Sequence, residues 1–297
     1  MKKFISAILF GLLLWTAAWA QTDNKIPTKE FRGITFFQVD ITPLLRVYLR
    51  QEEYEQYKQD GAPEFTNKFS KAIDLLSSHN IPLPKIGYYQ FLILPKGEIY
   101  QKIADVPWSE GIGGINGWPE ALAADHRCFL ALSPKSPFIG LVHELVHLVH
   151  GNWIDIIPIC EGFAEVVPFY ILDLKDEKQQ NIALNLTPKE IYSVNTLIKR
   201  GMFLEGDMQA QYRKTYISMY LWMRGYLEVL QKKYNLGKLQ ALNFVLQEFK
   251  TAATLPTLEE QENYIAHLIG WKRKKVFNKK YLQLIGQKSL KQSIENN

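Results

Sequence analysis

The chain has 297 residues, of which 47% are hydrophobic and 22% are charged, and it carries a formal net charge of +5 at pH 7. This length is enough to bury a substantial core and predicts one compact unit or two lobes. The sequence contains neither an internal repeat nor a low-complexity linker, and beyond the N-terminus no segment is long and apolar enough to span a bilayer. A solenoid and a multi-span membrane protein are therefore excluded.

The N-terminus has the three parts of a secretory signal peptide. Two lysines at positions 2–3 precede an apolar run over residues 4–19, and Ala18-Trp19-Ala20 forms an A-x-A cleavage site before Gln21. We therefore predict that residues 1–20 are a signal peptide and that the chain is exported to the periplasm or secreted after cleavage near Ala20. An uncleaved membrane anchor is the alternative, because the run nearly reaches spanning length. Export argues against nucleic acid as a partner.

Hydrophobic periodicity predicts an α+β lobe over residues 21–175 and a mainly α-helical lobe over residues 176–297. In chain order, the predicted elements are amphipathic helices at 41–59 and 64–80, strands at 86–95 and 126–133, two motif-bearing helices, and helices at 187–200, 207–234, 236–250 and 256–270.

The first motif is His143-Glu144-Leu145-Val146-His147. Ser136-Pro137 is a typical N-cap with proline at the first helical position, and Gly151-Asn152 is a typical stop, so we predict a helix from about 137 to 150. Histidines four residues apart share one helix face and can bind one metal ion at about 2.0–2.1 Å. Glu144 then lies beside the ion, where a base acting on a water molecule is needed. Two core histidines bonded to backbone are the structural alternative.

The second motif is Glu161-Gly162-Phe163-Ala164-Glu165. Its two glutamates are the only charged residues between positions 156 and 172, so this stretch belongs to the core. A buried carboxylate without a partner costs several kcal/mol. A zinc ion and an imidazole N–H would satisfy both glutamates, whereas a solvated acidic face fits the apolar sequence poorly.

Together the two motifs resemble those of the gluzincin zinc metallopeptidases, which combine HExxH with a downstream helix carrying E-x-x-x-D or E-x-x-x-E. The resemblance implies that His143, His147 and Glu161 bind one Zn2+ per chain, that Glu144 is the general base, and that Glu165 orients a ligand histidine, His143. It also implies a zincin-like fold, with a small mixed sheet and the HExxH helix in the N-terminal lobe and the metal between the lobes. The third ligand follows the second histidine more closely than in better-known members, which leaves Glu165 as the alternative ligand.

The metzincin pattern, HExxHxxGxxH, is not met. His150 stands where that pattern needs glycine, and Trp153 stands where it needs the third histidine. We interpret His150 as a residue of the cleft or one that supports a ligand.

A tyrosine is expected to stabilise the oxyanion that develops during hydrolysis. The segment 211–216 begins a long helical pattern and resembles the tyrosine-containing helix that some gluzincins place opposite the zinc. We predict Tyr212 in this role, with Tyr216 as the second choice. The alternative is that both tyrosines belong to an aromatic core stripe at helical spacing.

Two further features leave alternatives open. The glycine-rich stretch 111–117 is either a loop or edge strand beside the cleft or a plain turn. Cys128 and Cys160 either form one disulfide in an oxidising compartment or leave Cys160 as a buried thiol.

The sequence thus predicts an exported zinc metallopeptidase that hydrolyses peptide bonds of a peptide or protein substrate. The alternative is a catalytically silent metallopeptidase-like binding protein of the cell envelope. Residues 271–297 hold eight Lys or Arg residues and one Glu, and this basic tail is either a solvated helix end or a surface that contacts anionic lipid or envelope polymer.

Overall fold

The structure is a computed structural model. It describes residues 27–31, 34–42, 45–60, 62–81, 83, 89–93, 129–132, 138–150, 156–172, 183–200, 208–278 and 280–296.

Five strands and ten helices make up the described residues, and the class is α+β, as predicted. The strands are β1 (Thr28–Phe31), β2 (Ile34–Thr42), β3 (Leu45–Leu49), β4 (Tyr89–Ile93) and β5 (Phe129–Leu132). The helices are α1 (Gln51–Asp60), α2 (Ala62–Ser78), α3 (Phe138–His150), α4 (Ile157–Leu172), α5 (Val194–Arg200), α6 (Met208–Tyr234), α7 (Lys238–Ala253), α8 (Leu258–Leu268), α9 (Arg273–Asn278) and α10 (Tyr281–Glu295).

The five strands form one mixed sheet in the order β1-β2-β3-β4-β5. The first three strands pair antiparallel, whereas β3, β4 and β5 run parallel to one another. Parallel neighbours need a long crossover, and α1 and α2 lie in the connection from β3 to β4. Val47, Tyr48 and Leu49 of the central strand β3 are fully buried. Helices α2 and α3 pack against each other beside the sheet.

The predicted helix over residues 41–59 is wrong in its first half. Residues 41–42 end β2, residues 45–49 form β3, and the helix starts only at Gln51. The run 45–49 does alternate Leu45, Val47 and Leu49 with Arg46 and Tyr48, but it is only five residues long and lies directly before α1, so a short strand signal adjoins a helical one. Its pairing with β2, in which Val39 lies opposite Val47, is a contact that helical periodicity does not reveal.

The other predicted elements of the N-terminal half are confirmed, the helix with shifted bounds and the two strands with shorter ones. The helix predicted at 64–80 is α2, and the strands predicted at 86–95 and 126–133 are β4 and β5. Helix α2 ends in a Schellman motif, in which Asn80 adopts a φ of 59° and the N–H of Ile81 donates to the carbonyl oxygen of Leu76 over 2.9 Å.

The helix predicted at 187–200 starts later, at Val194. Two capping signals compete in this segment. The backbone N–H and hydroxyl of Thr187 both donate to Glu190, which closes only a turn, whereas the Ser193 hydroxyl accepts from the N–H of Thr196 over 3.1 Å. The second signal starts the helix, because Ser193 stands directly before it.

The remaining helical predictions are confirmed, and the chain continues beyond them. The helices predicted at 207–234, 236–250 and 256–270 are α6, α7 and α8, and the basic segment that follows forms α9 and α10. Val276, Phe277, Leu282 and Leu290 of these two helices are buried in the core. The end of the chain is therefore part of the packed structure.

Helices α6 and α10 cross at very short range. A Cβ atom added at Gly225 would collide with the carbonyl oxygen of Leu282, and one added at Gly286 would collide with that of Leu221. The two glycines face each other's helix and allow the backbones to touch. Among the described helices, none combines the length and the apolar character that a membrane span requires.

Candidate metal centre

Helix α3 carries Glu144 and His147 into the interior. Leu141, Val142, Leu145 and Val146 are at most 2% exposed, so the helix is buried on most sides. Glu144, which lies among them, is also only 2% exposed. A helix this apolar packs into the core as a unit, and the side chains of His143 and His147 enter the interior with it.

Helix α4 brings two carboxylates to the same place. Glu161 and Glu165 are one turn apart, and a Cβ atom at Gly162 would lie 2.7 Å from the carbonyl oxygen of Met219 on α6. The glycine of the second motif therefore allows α6 to pack directly on α4 beside the carboxylates. The sequence alone indicates no such role for Gly162.

Three side-chain atoms converge on one point. The Nε2 atoms of His143 and His147 lie 3.1 Å apart, and the Oε2 atom of Glu161 lies 3.6 Å from the first and 3.5 Å from the second. In a tetrahedral zinc site with bonds of about 2.1 Å, neighbouring ligand atoms are about 3.4 Å apart. A point about 2.0 Å from all three atoms exists inside this triangle, so the three side chains fit a zinc ion.

Glu144 lies beside this triangle. Its Oε1 atom is 3.9 Å from the Nε2 atom of His143, and His143, Glu144 and His147 can also be grouped as three ligand atoms within 4.8 Å of one another. We favour Glu161 as the third ligand, because its distances to the two histidines are shorter and nearly equal. An ion held by this triangle would then lie beside Glu144.

Glu165 faces the other side of a histidine. Its Oε1 atom lies 3.4 Å from the Nδ1 atom of His143, whose Nε2 atom faces the triangle. A carboxylate that accepts from Nδ1–H leaves the lone pair on Nε2, which is the tautomer that binds a metal. This placement corresponds to the orienting role implied by the motif.

The cluster has more carboxylates than imidazoles in a buried site. Burial opposes the charged form of His143, but Glu165, Glu161 and Glu144 outweigh burial and raise the pKa of its imidazole to about 10. Burial likewise disfavours the charged form of Glu161, yet the two histidines hold the pKa of that carboxyl well below its usual range. Burial raises the pKa of Glu165. The site therefore attracts positive charge, which protons or a divalent cation would supply.

Several predicted residues lie outside the described part of the chain. These are Cys128, Trp153, the glycine-rich stretch 111–117 and residues 1–26, together with the side chains of His150 and Tyr212, whose backbones belong to α3 and α6. Tyr216 is half-buried on α6, and Cys160 is half-buried on α4. The oxyanion donor and the disulfide therefore stay predictions.

A buried arginine behind the site was not anticipated from the sequence. Arg224 is 8% exposed on α6, its Nη1 atom donates to the hydroxyl of Tyr220 over 3.2 Å, and its guanidinium lies 5.9 Å from the ring centre of Tyr170. Burial raises the pKa of both tyrosines, that of Tyr170 to about 12. The sequence signal for a buried Arg224 is that it is the single charged residue in the otherwise mostly apolar run 217–227.

No protein-family model matches the chain, and no curated protein matches it either. Function is therefore inferred from the side chains of the site and their geometry.

Proposed function

We propose that the chain is a zinc-dependent metallopeptidase of the gluzincin type, with a zincin-like fold around one Zn2+. The observation that carries the proposal is the triangle of His143 Nε2, His147 Nε2 and Glu161 Oε2, with edges of 3.1, 3.5 and 3.6 Å. Two imidazoles and one carboxylate are the donor set of catalytic zinc sites that keep a fourth position for water or substrate.

His143, His147 and Glu161 would hold the zinc ion. When bound, zinc lowers the pKa of a water molecule to about 7 and polarises the carbonyl group of the substrate. Each ligand sits on a helix of the buried core, so the geometry is fixed before the ion binds.

Glu144 is the proposed general base. Its carboxylate accepts a proton from the attacking water and afterwards passes it to the leaving amine, so one group serves both halves of amide hydrolysis. Its position favours this, because it is almost completely buried and lies 3.9 Å from a proposed ligand atom without completing the triangle.

Glu165 is a proposed positioning residue. It holds the Nδ1–H of His143 and thereby fixes the ring orientation of a ligand. Tyr212, or Tyr216 one turn later, is proposed to donate to the developing oxyanion from α6. Export after cleavage near Ala20 is part of the same proposal, and N-terminal sequencing of protein recovered from the producing cells tests it.

The experiment that tests the activity compares the parent chain with Glu144→Gln on a library of internally quenched peptides. Loss of a general acid–base group costs about 10²- to 10⁴-fold in rate, and we expect a loss in this range with bound zinc retained. Asp74→Asn, an exposed carboxylate on α2, is the matched control and should keep full activity.

Equal turnover by the parent and Glu144→Gln would contradict the proposal. A parent that binds zinc yet cleaves no peptide in the library would favour the second candidate, a catalytically silent binding protein of the cell envelope. The five converging side chains argue against that candidate, since they supply the three proposed ligands, the proposed base and the proposed orienting carboxylate.

A further inference from the structure

A cluster of lysines and aromatic rings occupies the surface where α8 turns into α9. It consists of Trp271, Lys272, Lys274, Lys275 and Tyr281, and we call it the basic aromatic patch. The rings of Trp271 and Tyr281 lie 5.2 Å apart, the Nζ atom of Lys275 lies 4.6 Å from the ring centre of Trp271, and Tyr281 is 48% exposed. The three lysines are exposed as well.

The backbone holds this patch in a fixed position. Gly270 adopts a φ of 72°, its N–H donates to the carbonyl oxygen of His267, and the N–H of Trp271 donates to that of Ala266 over 3.0 Å. These are the two hydrogen bonds of a Schellman motif, and they set the direction in which Trp271 leaves α8. Lys233 of α6 also donates to the carbonyl oxygen of Leu268 over 2.7 Å.

The positive charge of the basic aromatic patch is not neutralised by neighbouring carboxylates in the part of the chain that the structure describes. Arg273 is paired with Glu262 and Glu259 of α8. Among the described residues, none of the three lysines of the patch forms a salt bridge. Three exposed lysines therefore lie close together in the chain at 272–275, and one of them, Lys275, is beside the ring of Trp271.

We propose that the basic aromatic patch docks the chain on the surface of an anionic phospholipid bilayer. Lysines near such a surface gain electrostatic attraction, and Trp and Tyr place an apolar ring at the level of the headgroups while their polar ends stay hydrated. A soluble polyanion would attract the lysines but would offer the half-exposed rings no apolar layer. Docking does not depend on the metal centre.

The expected affinity of the basic aromatic patch for an anionic membrane corresponds to reversible attachment. Each lysine near an anionic surface strengthens binding by about fivefold, so that the loss of two weakens it by about 30-fold. Salt weakens the contribution of the lysines but leaves that of the rings, because only the first is screened.

Co-sedimentation with vesicles tests the proposal. The chain is used without residues 1–20, since their apolar run would itself enter lipid, and all described elements remain. Vesicles of phosphatidylcholine with phosphatidylglycerol should bind it, whereas vesicles of phosphatidylcholine alone should not. The double variant Lys274→Gln/Lys275→Gln should bind the anionic vesicles about 30-fold more weakly. Tyr281→Ser should weaken the binding that persists at high salt.

Lys71→Gln/Lys199→Gln is the matched control, because it removes the same charge from two exposed lysines on α2 and α5. It should lose less than about fivefold. Equal losses in the two double variants would show attraction by net charge alone and overturn the proposal. Binding to inorganic polyphosphate without binding to anionic vesicles would also overturn it, in favour of a soluble polymer.

Discussion

Glu165 of α4 is the proposed orienting carboxylate for the imidazole ring of His143. It lies 3.4 Å from the Nδ1 atom of His143, and the opposite nitrogen of that ring is a proposed zinc ligand. The partners that orient a ligand histidine typically account for about 10- to 100-fold in metal affinity.

We therefore expect Glu165→Ala to weaken zinc binding by about 10- to 100-fold, and Glu165→Gln, whose amide oxygen can still accept from Nδ1–H, to recover part of that loss. Competition with a chromophoric chelator measures the affinity. The thermal midpoint of the metal-free chain separates this role from a general loss of folding. Unchanged zinc affinity in Glu165→Ala would contradict the orienting role.

The residues of the site could be predicted from sequence because their spacing is local. His143 and His147 are one helical turn apart, as are Glu161 and Glu165, and a helix alone places each pair on one face. Arg224 could not be assigned in this way. Tyr220 lies one turn away on the same helix, but Tyr170 is brought to Arg224 only by the packing of α4 on α6.

At the scale of elements, the crossing of α6 and α10 depends on two glycines. Helix propensity alone predicts that Gly286→Ala or Gly225→Ala stabilises its helix by about 1 kcal/mol. Packing predicts the opposite, because the new methyl group would collide with the backbone of the facing helix. Collisions with backbone are relieved only by moving the helices apart.

Each of these substitutions is therefore expected to destabilise the chain by about 3 kcal/mol or more, since the overpacking involves main-chain atoms. The thermal midpoint of unfolding is the measurement. Gly237→Ala is the control, because a Cβ atom there would meet no atom closer than 3.4 Å. If all three variants melted at the temperature of the parent, the close approach of α6 and α10 would be refuted.

Strands illustrate why part of the fold was not predictable. The strands β1, β2 and β3 pair antiparallel along residues 28–49, with a register shift between Asp40 and Thr42. Residues 37–42 and 45–49 each alternate in type over only five or six positions, which is a short signal beside the helical pattern that follows. Residues 47–49 are fully buried, and the identity of the run 45–49 as a strand is decided by its pairing with β2 and β4. Helices α6 to α8 were predicted because their period and their caps are local, as with Thr257 and Glu260 at the start of α8.

At the scale of the whole molecule, the basic C-terminal segment has two different sides. The described side chains of one side, Val276, Phe277, Leu282 and Leu290, are buried against the rest of the core, whereas Lys274, Lys275 and Tyr281 face outward. The composition of this segment reveals its positive charge but not that one of its sides is buried. Helices α9 and α10 are short or weakly amphipathic, and their positions are set by packing on α6.

Removal of residues 273–297 is expected to prevent cooperative folding, because it uncovers the apolar surface of α6 around Trp222, which stacks on Phe277 with ring centres 6.0 Å apart. Tryptophan fluorescence and the sharpness of thermal unfolding measure the effect. Removal of residues 295–297 is the control and should change neither, since Glu295 and Asn296 are exposed. A truncated chain that melts like the parent would show that the segment is dispensable.

The central claim is that His143, His147 and Glu161 together bind one zinc ion. The most direct test is the zinc content per chain of the purified, metal-supplemented protein, measured beside Glu161→Ala and Glu144→Gln. We predict about one zinc per parent chain, a marked loss in Glu161→Ala and full retention in Glu144→Gln. A folded parent without zinc would contradict the claim, and so would loss of zinc in Glu144→Gln with retention in Glu161→Ala.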